Sequence, residues 1–245
     1  MIGSPLLAAE RLTKRFGGVA AVADCSFSVP AGTITALVGP NGSGKTTVFN
    51  LLTGYLRPDA GTVTFEGQTI RRPNPIHLYR SGLTRTFQQA RIFPELTLVE
   101  NLCVATPQPW RGIVRRAVGR NDRRRALELL DEFGLSRLAS ETAGSLSYGQ
   151  KKLLEFATVL MGEPRLVLLD EPTAGVNPVM VEAIEARIRE LNARGLTFLL
   201  VEHNMNLVMR ICDPVIVLDH GTKLAAGTPD DVRRDPRVLD AYLGA

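Results

Sequence analysis

The sequence predicts an α/β protein whose parallel β-sheet is covered by helices on both faces. A β-branched segment at 32–39 runs into a glycine-rich loop, and a helical apolar pattern follows at 45–56. Further along, strand-length apolar runs stand at 166–169, 196–201 and 215–218, with helical stretches between them. Strands that are apolar on both faces and alternate with helices are typical of parallel sheets.

Length and composition allow one large α/β domain or a core with a small subdomain. Of the 245 residues, 44% are hydrophobic and 22% charged, which is enough apolar material for a full core. The net charge of +4 is too small to indicate nucleic-acid binding, and we expect no nucleic-acid partner. The longest apolar runs fall far short of the ~20 residues of a membrane helix, so we expect any membrane association to be peripheral.

The three cysteines, Cys25, Cys103 and Cys212, are widely separated and form no Cys-x-x-Cys pair. Their odd number and spacing argue against a disulfide framework or a zinc site and fit a reducing cytosol. We therefore expect all three to be small buried apolar residues.

The elements of the first third follow from local patterns. The helix at 45–56 carries its apolar residues at helical spacing, at Val48, Leu51, Leu52 and Leu56. Residues 61–70 then alternate between apolar and polar side chains around Glu66-Gly67, a pattern that predicts an antiparallel hairpin.

The middle of the chain has a different character. Strand signals fade between Gln89 and Gly162, and helical periodicity appears at 98–104, 123–133 and 150–161. This block predicts a helical subdomain inserted into the α/β core.

The last part of the sequence returns to the core pattern and ends in a tail. We expect a helix at 179–193, a hairpin or turn at 219–228, and one or two tail helices at 230–243 broken at Pro236. The resulting partition is a single domain over 1–245, comprising a core of 1–88 and 162–227, a helical subdomain of 89–161 and a tail of 228–245.

A phosphate-binding loop is the strongest chemical signal, because residues 39–46 read Gly-Pro-Asn-Gly-Ser-Gly-Lys-Thr. Its glycines let consecutive backbone N–H groups point at phosphate oxygens, and the following helix adds its positive N-terminal end. Lys45 is expected to reach the β- and γ-phosphates, and Thr46 to offer its hydroxyl to Mg²⁺. The predicted nucleotide-binding residues of this loop are Gly39, Pro40, Asn41, Gly42, Ser43, Gly44, Lys45, Thr46 and Thr47. A glycine turn without a ligand is the weaker alternative.

An acidic pair, Asp170-Glu171, follows the apolar run at 166–169. This places Asp170 at the carboxyl end of a buried strand, where open α/β sheets bind ligands and where it can hold Mg²⁺ directly or through water. We expect Glu171 to act as the base or positioning group for the attacking water. A surface acid pair at a strand end is the alternative.

A second possible anion site lies at 146–150, which read Leu-Ser-Tyr-Gly-Gln ahead of a helix. Ser147, Gly149 and Gln150 combine a hydroxyl with exposed amides at a helix N-terminus. The plain alternative is a helix cap. Because one triphosphate is already held by 39–47, a second clamp is most simply explained by a nucleotide that belongs to another subunit.

Taken together, these motifs resemble those of ATP-binding cassette subunits over essentially the whole chain. The resemblance implies that Gln88 touches Mg²⁺ or the water and faces the membrane domains, that His203 contacts the γ-phosphate, and that Phe16 stacks on adenine. Without it, His203 would be interpreted as structural and Phe16 as part of the core. The implied catalytic residues are Lys45, Gln88, Glu171 and His203, and the implied metal ligands are Thr46, Gln88 and Asp170.

Three positions depart from the commonest pattern of that family. Tyr148 stands where glycine is usual, Phe16 where tyrosine is frequent, and Asn177 where aspartate often ends the loop. None of them removes a catalytic group, and Asn177 keeps hydrogen-bonding capacity while it loses charge.

A finer resemblance, to LivG-type subunits of branched-chain amino acid importers, rests on five segments: 85–88, 93–102, 171–178, 202–205 and 241–244. It implies an ATPase that binds ATP and Mg²⁺ and works at the cytoplasmic face of the inner membrane. Its partners would be a second, homologous ATPase subunit, two membrane permeases and, indirectly, a solute-binding protein. Other cassette systems for urea or amide import or lipopolysaccharide export, a soluble cassette ATPase, and a P-loop kinase or GTPase are the alternatives.

The related lipopolysaccharide-export ATPases share the tail and the Asn-Pro loop, but an arginine-rich insert at 107–125 fits the amino acid branch better. It contains Arg111, Arg115, Arg116, Arg120, Arg123, Arg124 and Arg125. A solvated helical face is the ordinary explanation, attraction to anionic lipid headgroups comes next, and nucleic-acid binding is a distant third.

Overall fold

The computed structural model describes residues 5–70, 74–106 and 119–243, and it confirms the predicted α/β class. The first part of the chain contains β1 (Pro5–Phe16), β2 (Val19–Pro30), β3 (Ile34–Val38), α1 (Lys45–Leu52), β4 (Ala60–Phe65), β5 (Gln68–Thr69), α2 (Pro75–Arg80) and β6 (Leu83–Arg85). The middle part contains α3 (Leu98–Val104), α4 (Arg120–Glu132) and α5 (Tyr148–Leu160). The last part contains β7 (Leu166–Asp170), α6 (Pro178–Ala193), β8 (Thr197–Val201), α7 (Met205–Ile211), β9 (Val215–Asp219), β10 (Thr222–Gly227), α8 (Pro229–Arg234) and α9 (Pro236–Leu243).

The central sheet has six strands in the order β10-β9-β3-β8-β7-β6. All neighbouring pairs are parallel except β10 with β9, which form the antiparallel hairpin expected near 219–228. Every residue of β3, β7 and β8 is buried. Their carboxyl ends lie at one edge of the sheet, since Leu37 and Asp170 both pair with Val201.

The second sheet is antiparallel, in the order β2-β1-β4-β5, and includes the predicted hairpin at 61–70. The two long strands β1 and β2 were not foreseen in the sequence. Their pairing shifts register at several points, and Arg11 and Asp24 adopt positive φ angles of 49° and 47°. Such bulges break the period-two alternation by which a strand is recognised in a sequence.

Two apolar clusters cover the two faces of the central sheet. One joins the alternate strand residues Val167, Leu169 and Phe198 to the helices α3 to α6, and the other joins Leu168 and Leu199 to α1 and the antiparallel sheet. Edge-to-face aromatic contacts link the helices to the strands, since Phe156 contacts both Phe133 and Phe198, at centroid distances of 5.2 and 6.2 Å.

Helix boundaries differ from the predicted ones where turn residues intervene. The first helix ends at Leu52 rather than at 56, because Thr53 caps it and Gly54 then takes a φ of 76°. In the other direction, α4 and α5 begin two to three residues earlier than predicted. The two tail helices are separated at Pro236, as expected.

The three cysteines are buried and unpaired, as predicted. Of the arginine-rich insert, Arg111, Arg115 and Arg116 lie outside the described residues, as does Gly244 of the last matching segment. Arg120, Arg123 and Arg124 lie exposed on α4, as a solvated helical face requires, whereas Arg125 is half-buried. Among the helices within the described ranges, none combines the length and apolar character needed to cross a membrane.

Candidate nucleotide-binding site

The phosphate loop leaves the carboxyl end of β3 and leads into α1. Gly44 caps α1 with a φ of 99°, a left-handed conformation that favours glycine. A Cβ atom at Gly44 would lie 2.5 Å from the carbonyl oxygen of Ala21, and one at Gly39 would overlap that of Leu218. The loop is therefore packed so closely against neighbouring backbone that these two glycines have no substitute.

The Lys45 side chain is held inside the loop. Its ammonium group donates hydrogen bonds to the carbonyl oxygens of Gly39 and Pro40, both at 2.8 Å. Burial lowers the pKa of Lys45, while the negative charges of Glu171 and Asp170 act in the opposite direction. The loop thus holds a desolvated cation beside the two acidic residues.

An open cavity of about 900 Å³ lies against the loop. Its lining comprises Gly39, Pro40, Asn41, Gly42, Ser43, His203, Asp219, His220, Asp240, Ala241 and Tyr242. The buried hydroxyl of Ser43 has no hydrogen-bond partner within the described part of the chain. A buried polar atom of this kind calls for a ligand, and a phosphate oxygen is a suitable acceptor.

Asp170, at the end of β7, forms a buried ion pair with Arg85. The Oδ2 atom of Asp170 accepts a hydrogen bond from Nη2 of Arg85 at 2.8 Å, and both side chains are less than a tenth exposed. Burial raises the pKa of Asp170, and the guanidinium charge lowers it. Sequence analysis assigned Arg85 no role beyond its place in a matching segment.

Glu171 lies at the meeting point of two other predicted residues. Its Oε2 atom accepts a hydrogen bond from Nε2 of Gln88 at 3.1 Å, and its Oε1 atom lies 3.1 Å from Nε2 of His203. The backbone of Glu171 has a φ of 49° and donates its N–H to the carbonyl oxygen of Val201 at 2.9 Å. Non-glycine residues in this region cluster at functional sites.

Glu202 is a buried residue whose role the sequence did not reveal. Its Oε1 atom accepts hydrogen bonds from the N–H and the hydroxyl of Thr173, at 2.9 and 2.6 Å. Its Oε2 atom accepts from the N–H groups of His203 and Asn204, at 3.0 and 3.2 Å. One carboxylate therefore ties the loop after Glu171 to the loop that carries His203.

Two residues of α5 hold the segment around Gln88. Lys152 donates to the carbonyl oxygen of Gln88 at 2.6 Å, and Glu155 accepts from the N–H groups of Phe87 and Arg91 at 3.0 and 3.3 Å. Burial lowers the pKa of Lys152 and raises that of Glu155. Both residues lie among apolar residues of the helix, so the sequence did not indicate that they contact the Gln88 segment.

Ser147 caps α5. It forms a reciprocal capping box with Gln150, in which the Gln150 N–H donates to the serine hydroxyl at 3.3 Å and the serine N–H donates to Gln150 Oε1 at 2.9 Å. Within the described residues, no hydrogen bond or ion pair joins 147–150 to the phosphate loop. Within one chain, Ser147 therefore acts as a helix cap, which is the plain alternative to an anion site.

The three atypical positions have clear structural surroundings. The ring of Tyr148 packs near Gly175, where an added Cβ would lie 3.2 Å from the ring. Asn177 caps α6, its Oδ1 atom accepting from the N–H of Met180 at 2.9 Å, so its hydrogen-bonding capacity is used. Phe16 is 49% exposed at the end of β1, which excludes the core alternative.

The carboxy-terminal helix α9 contributes a wall that the sequence did not predict. Asp240 and Tyr242 line the cavity, and the backbone N–H of Gly39 interacts with the Tyr242 hydroxyl. Burial raises the pKa of this phenol, and the Gly39 N–H lowers it in part. In the sequence, the only indication that α9 lines the cavity is the position of Tyr242 in a matching segment.

The donors near the loop suit a hard divalent cation. Thr46, Asp170 and Gln88 offer a hydroxyl, a carboxylate and an amide oxygen, and Mg²⁺ prefers oxygen ligands. The described part of the chain contains no cluster of three histidine, cysteine or acidic residues that could hold a metal alone.

A phosphate loop after β3 and an acidic pair at the end of β7, which lie at the same carboxyl edge of the parallel sheet, define the chain as a P-loop nucleoside triphosphatase. The ABC transporter family matches residues 22–174, and the branched-chain amino acid ATP-binding cassette transporter family matches residues 222–245. The chain belongs to the ABC transporter family, as an ATP-binding and ATP-hydrolysing subunit. The resemblance inferred from the motifs is thereby confirmed.

Relatives and solved structures agree with this assignment. The chain is 41% identical to the high-affinity branched-chain amino acid transport ATP-binding protein BraF of Pseudomonas aeruginosa, covering 98% of each chain. It is 40% identical to LivG of Salmonella typhimurium, a protein with the same description, covering 99% of each. A nucleotide-free ATP-binding cassette from an ABC transporter superposes with a TM-score of 0.89 at 34% identity, covering 99% of this chain and all of the other. An ATP-binding cassette of an ABC transporter in its ADP conformation gives a TM-score of 0.88 at 35% identity, covering 99% of this chain and all of the other.

Proposed function

We propose that this ATPase energises the uptake of branched-chain or other hydrophobic amino acids across a membrane. The names of the relatives support this solute class, and the match at 222–245 to the branched-chain amino acid family supports it from a separate part of the chain. The solute would be recognised by partner subunits, since the pocket described above has the size and chemistry of a nucleotide site.

The observation that carries the catalytic proposal is the contact of Glu171 with both Gln88 and His203 beside the phosphate loop. In this proposal Glu171 orients and deprotonates the attacking water, His203 contacts the γ-phosphate, and Lys45 neutralises charge on the β- and γ-phosphates. Phe16 stacks on adenine, and its exposure leaves the ring free to do so.

The phosphate chain would be cradled by the backbone of 39–47, with the Ser43 hydroxyl as a further donor. Thr46, Asp170 and Gln88 would hold Mg²⁺, which when bound supplies positive charge to the phosphate oxygens. The ion pair with Arg85 supports the ionised form of Asp170 that such a ligand requires.

Among the residues that the structure describes, none of 146–150 forms a hydrogen bond or ion pair with the phosphate loop, and this segment leads into α5, a helix of 13 residues. We infer that Ser147, Gly149 and Gln150 close over the γ-phosphate held by a second, homologous ATPase subunit. Two nucleotides would then be sandwiched between the subunits, and hydrolysis would remove the ligand that joins them.

An apolar groove supports docking of membrane permeases on the cytoplasmic side. It has a volume of about 370 Å³ and is lined by Thr53, Tyr55, Pro75, Ile76, Leu78, Tyr79, Leu83, Thr84, Arg85, Phe87, Ala105, Thr158 and Val159. Ile76 is 65% exposed and Tyr55 46% exposed, which is typical of an interaction surface. We infer that an apolar face of a permease segment fills it, and that a solute-binding protein acts only through the permeases.

The partition into a nucleotide-binding core (1–88 and 162–227), a helical subdomain (89–161) and a tail (228–245) remains part of this proposal. It is supported by the concentration of α3 to α5 in the middle of the chain and by the central sheet that the flanking segments share.

Reconstitution tests the proposal directly. The subunit is co-expressed with candidate permeases and a candidate second ATPase from the same source, and the complex is placed in vesicles with a candidate solute-binding protein. We expect ATP-dependent uptake of radiolabelled leucine, isoleucine or valine. Uptake of urea or amides instead, or no association with permeases while ATP hydrolysis persists, would contradict the proposed transport function.

A further inference from the structure

Arg85 stands between the metal-binding edge of the sheet and the apolar groove. It is the last residue of β6 and is only 8% exposed. Every nitrogen of its guanidinium is hydrogen-bonded: Nη2 to Asp170, Nη1 to Asn50 Oδ1 at 2.7 Å and to Thr53 Oγ1 at 3.2 Å, and Nε to the carbonyl oxygen of Thr86 at 3.2 Å. The planar group is thereby fixed in one orientation.

The other side of the guanidinium faces aromatic rings. Its carbon lies 4.6 Å from the ring centroid of Phe87, 5.6 Å from that of Tyr55 and 5.8 Å from that of Phe49. Phe87 and Tyr55, together with Arg85 itself, line the apolar groove. A single side chain thus contacts Asp170 on one side and forms a wall of the groove on the other.

Stability alone gives little reason to keep such a pair. A buried ion pair costs desolvation on both partners, and well-packed apolar residues of similar volume are often as stabilising. What the pair does supply is a fixed direction for the Asp170 carboxylate. Because Oδ2 is engaged by Arg85, the oxygen left for a cation at the phosphate loop is Oδ1.

We propose that Arg85 is a positioning residue for the Mg²⁺ site. It holds Asp170 in the orientation that binds the cation, and it makes this orientation respond to occupancy of the groove. The second half of this statement rests on the proposed docking of a permease segment. A segment that fills the groove presses on Tyr55 and Phe87, and the guanidinium packed on these rings passes the displacement to the carboxylate.

The first test measures cation affinity in the isolated subunit, with Mn²⁺ as a paramagnetic probe and a non-hydrolysable ATP analogue. Arg85→Lys keeps the charge but loses the planar fork, and we expect Mn²⁺ to bind about 10- to 100-fold more weakly, as when a group that orients a metal ligand is replaced. Affinity for the nucleotide without metal should stay within about twofold of wild type, since Arg85 touches no part of the phosphate loop.

Arg91→Lys is the matched control. Arg91 lies over the same two rings, with its guanidinium carbon 3.5 Å from the centroid of Phe87 and 5.9 Å from that of Tyr55, but it has no contact with Asp170. Its Mn²⁺ affinity should equal that of wild type. Asn50→Ala is the second variant, for use if Arg85→Lys does not fold. It removes one hydrogen bond to the Arg85 guanidinium and leaves the ion pair with Asp170, so it should also weaken Mn²⁺ binding, by a smaller factor.

The second test uses the assembled complex. Tyr55→Leu removes a ring between groove and guanidinium, and it should reduce the stimulation of ATP hydrolysis by permeases while the isolated subunit binds Mn²⁺ normally. Wild-type Mn²⁺ affinity in both Arg85→Lys and Asn50→Ala overturns the positioning role. If Arg85→Lys weakens Mn²⁺ binding but Tyr55→Leu leaves the stimulation by permeases unchanged, the link to the groove is overturned. Failure of wild-type subunits to assemble with permeases refutes the proposed docking alone.

Discussion

The Nε2 atom of His203 and the Oε1 atom of Glu171 lie 3.1 Å apart at the carboxyl edge of the central sheet. The two residues follow different strands, β7 and β8, whose parallel pairing brings Asp170 opposite Val201. The fold therefore delivers a carboxylate and an imidazole to one point from positions 32 residues apart, and the phosphate loop lies beside them.

Replacing Glu171 by glutamine tests its proposed role as the base. The amide keeps the shape of the side chain but cannot accept the proton of water, so we expect turnover to fall by about 10²- to 10⁴-fold. ATP affinity should be unchanged, as measured by equilibrium binding. Glu163→Gln, at an exposed acidic residue beyond the other edge of the sheet, serves as the control. Turnover near the wild-type rate in an assembled complex would remove Glu171 from this role.

Ser147→Arg tests the shared nucleotide pocket. A large cation at the start of α5 would obstruct the partner's γ-phosphate, and we expect hydrolysis by the assembled complex to be lost. Ser145→Arg makes the same change two residues earlier, in an exposed turn, and should retain activity. Loss of the Ser147 cap costs about 1 kcal/mol, so urea unfolding must confirm that the variant is folded. Equal hydrolysis by the two variants would refute a pocket shared between subunits.

Glu202→Gln should destabilise the chain. The carboxylate accepts four hydrogen bonds, and an amide would turn its NH₂ group towards two of the donors. We expect the free energy of unfolding to fall by about 1–3 kcal/mol in denaturant titrations. Glu182→Gln, at an exposed position of α6, should change it by less than about 0.5 kcal/mol. A Glu202→Gln variant as stable as wild type would show that this carboxylate does not tie the two loops together.

Ile76→Asp tests the apolar groove as a docking surface. Ile76 is 65% exposed, so a charge there should leave folding and basal ATP hydrolysis intact while it weakens co-purification with permeases. Leu127→Asp places the same charge at an exposed leucine of α4 outside the groove and should leave co-purification intact. Permease recovery that is equally high for both variants would show that docking occurs elsewhere.

The cysteines should be inert to thiol reagents in the folded protein. Burial raises the pKa of Cys25 to about 11 and that of Cys212 to about 12, and it also raises the pKa of Cys103. At pH 8 the thiolate fraction of Cys25 is then about one in a thousand, and that of Cys212 is smaller. Titration with a chromogenic disulfide should detect three thiols in denaturant and none beforehand. Rapid labelling of native protein would contradict the buried placement.

Sequence patterns were sufficient where the chemistry is local. The glycines of the phosphate loop, the acidic pair after β7 and the cap at Ser147 are each defined by a few consecutive residues, and the structure has them in the elements predicted. Much of the sheet followed from continuous apolar runs, whereas the bulged strands β1 and β2 were hidden because their alternation is interrupted.

The supporting contacts could not be predicted, because they join distant positions. Arg85 and Asp170 are 85 residues apart, and nothing in either segment indicates the other. Glu202 lies next to His203 in the sequence, but its partner Thr173 is 29 residues away. Such pairings depend on the order of strands in the sheet, which local periodicity does not specify.

Lys152 and Glu155 fasten the Gln88 segment to the same helix that Ser147 begins. Any rotation of α5 consequently carries Gln88 towards or away from Glu171 at the same time as it moves the tip of the helix relative to a facing subunit. In the proposed pair of subunits, a movement of α5 that tightens one nucleotide pocket would therefore also change the geometry of the other, and the two sites would be coupled.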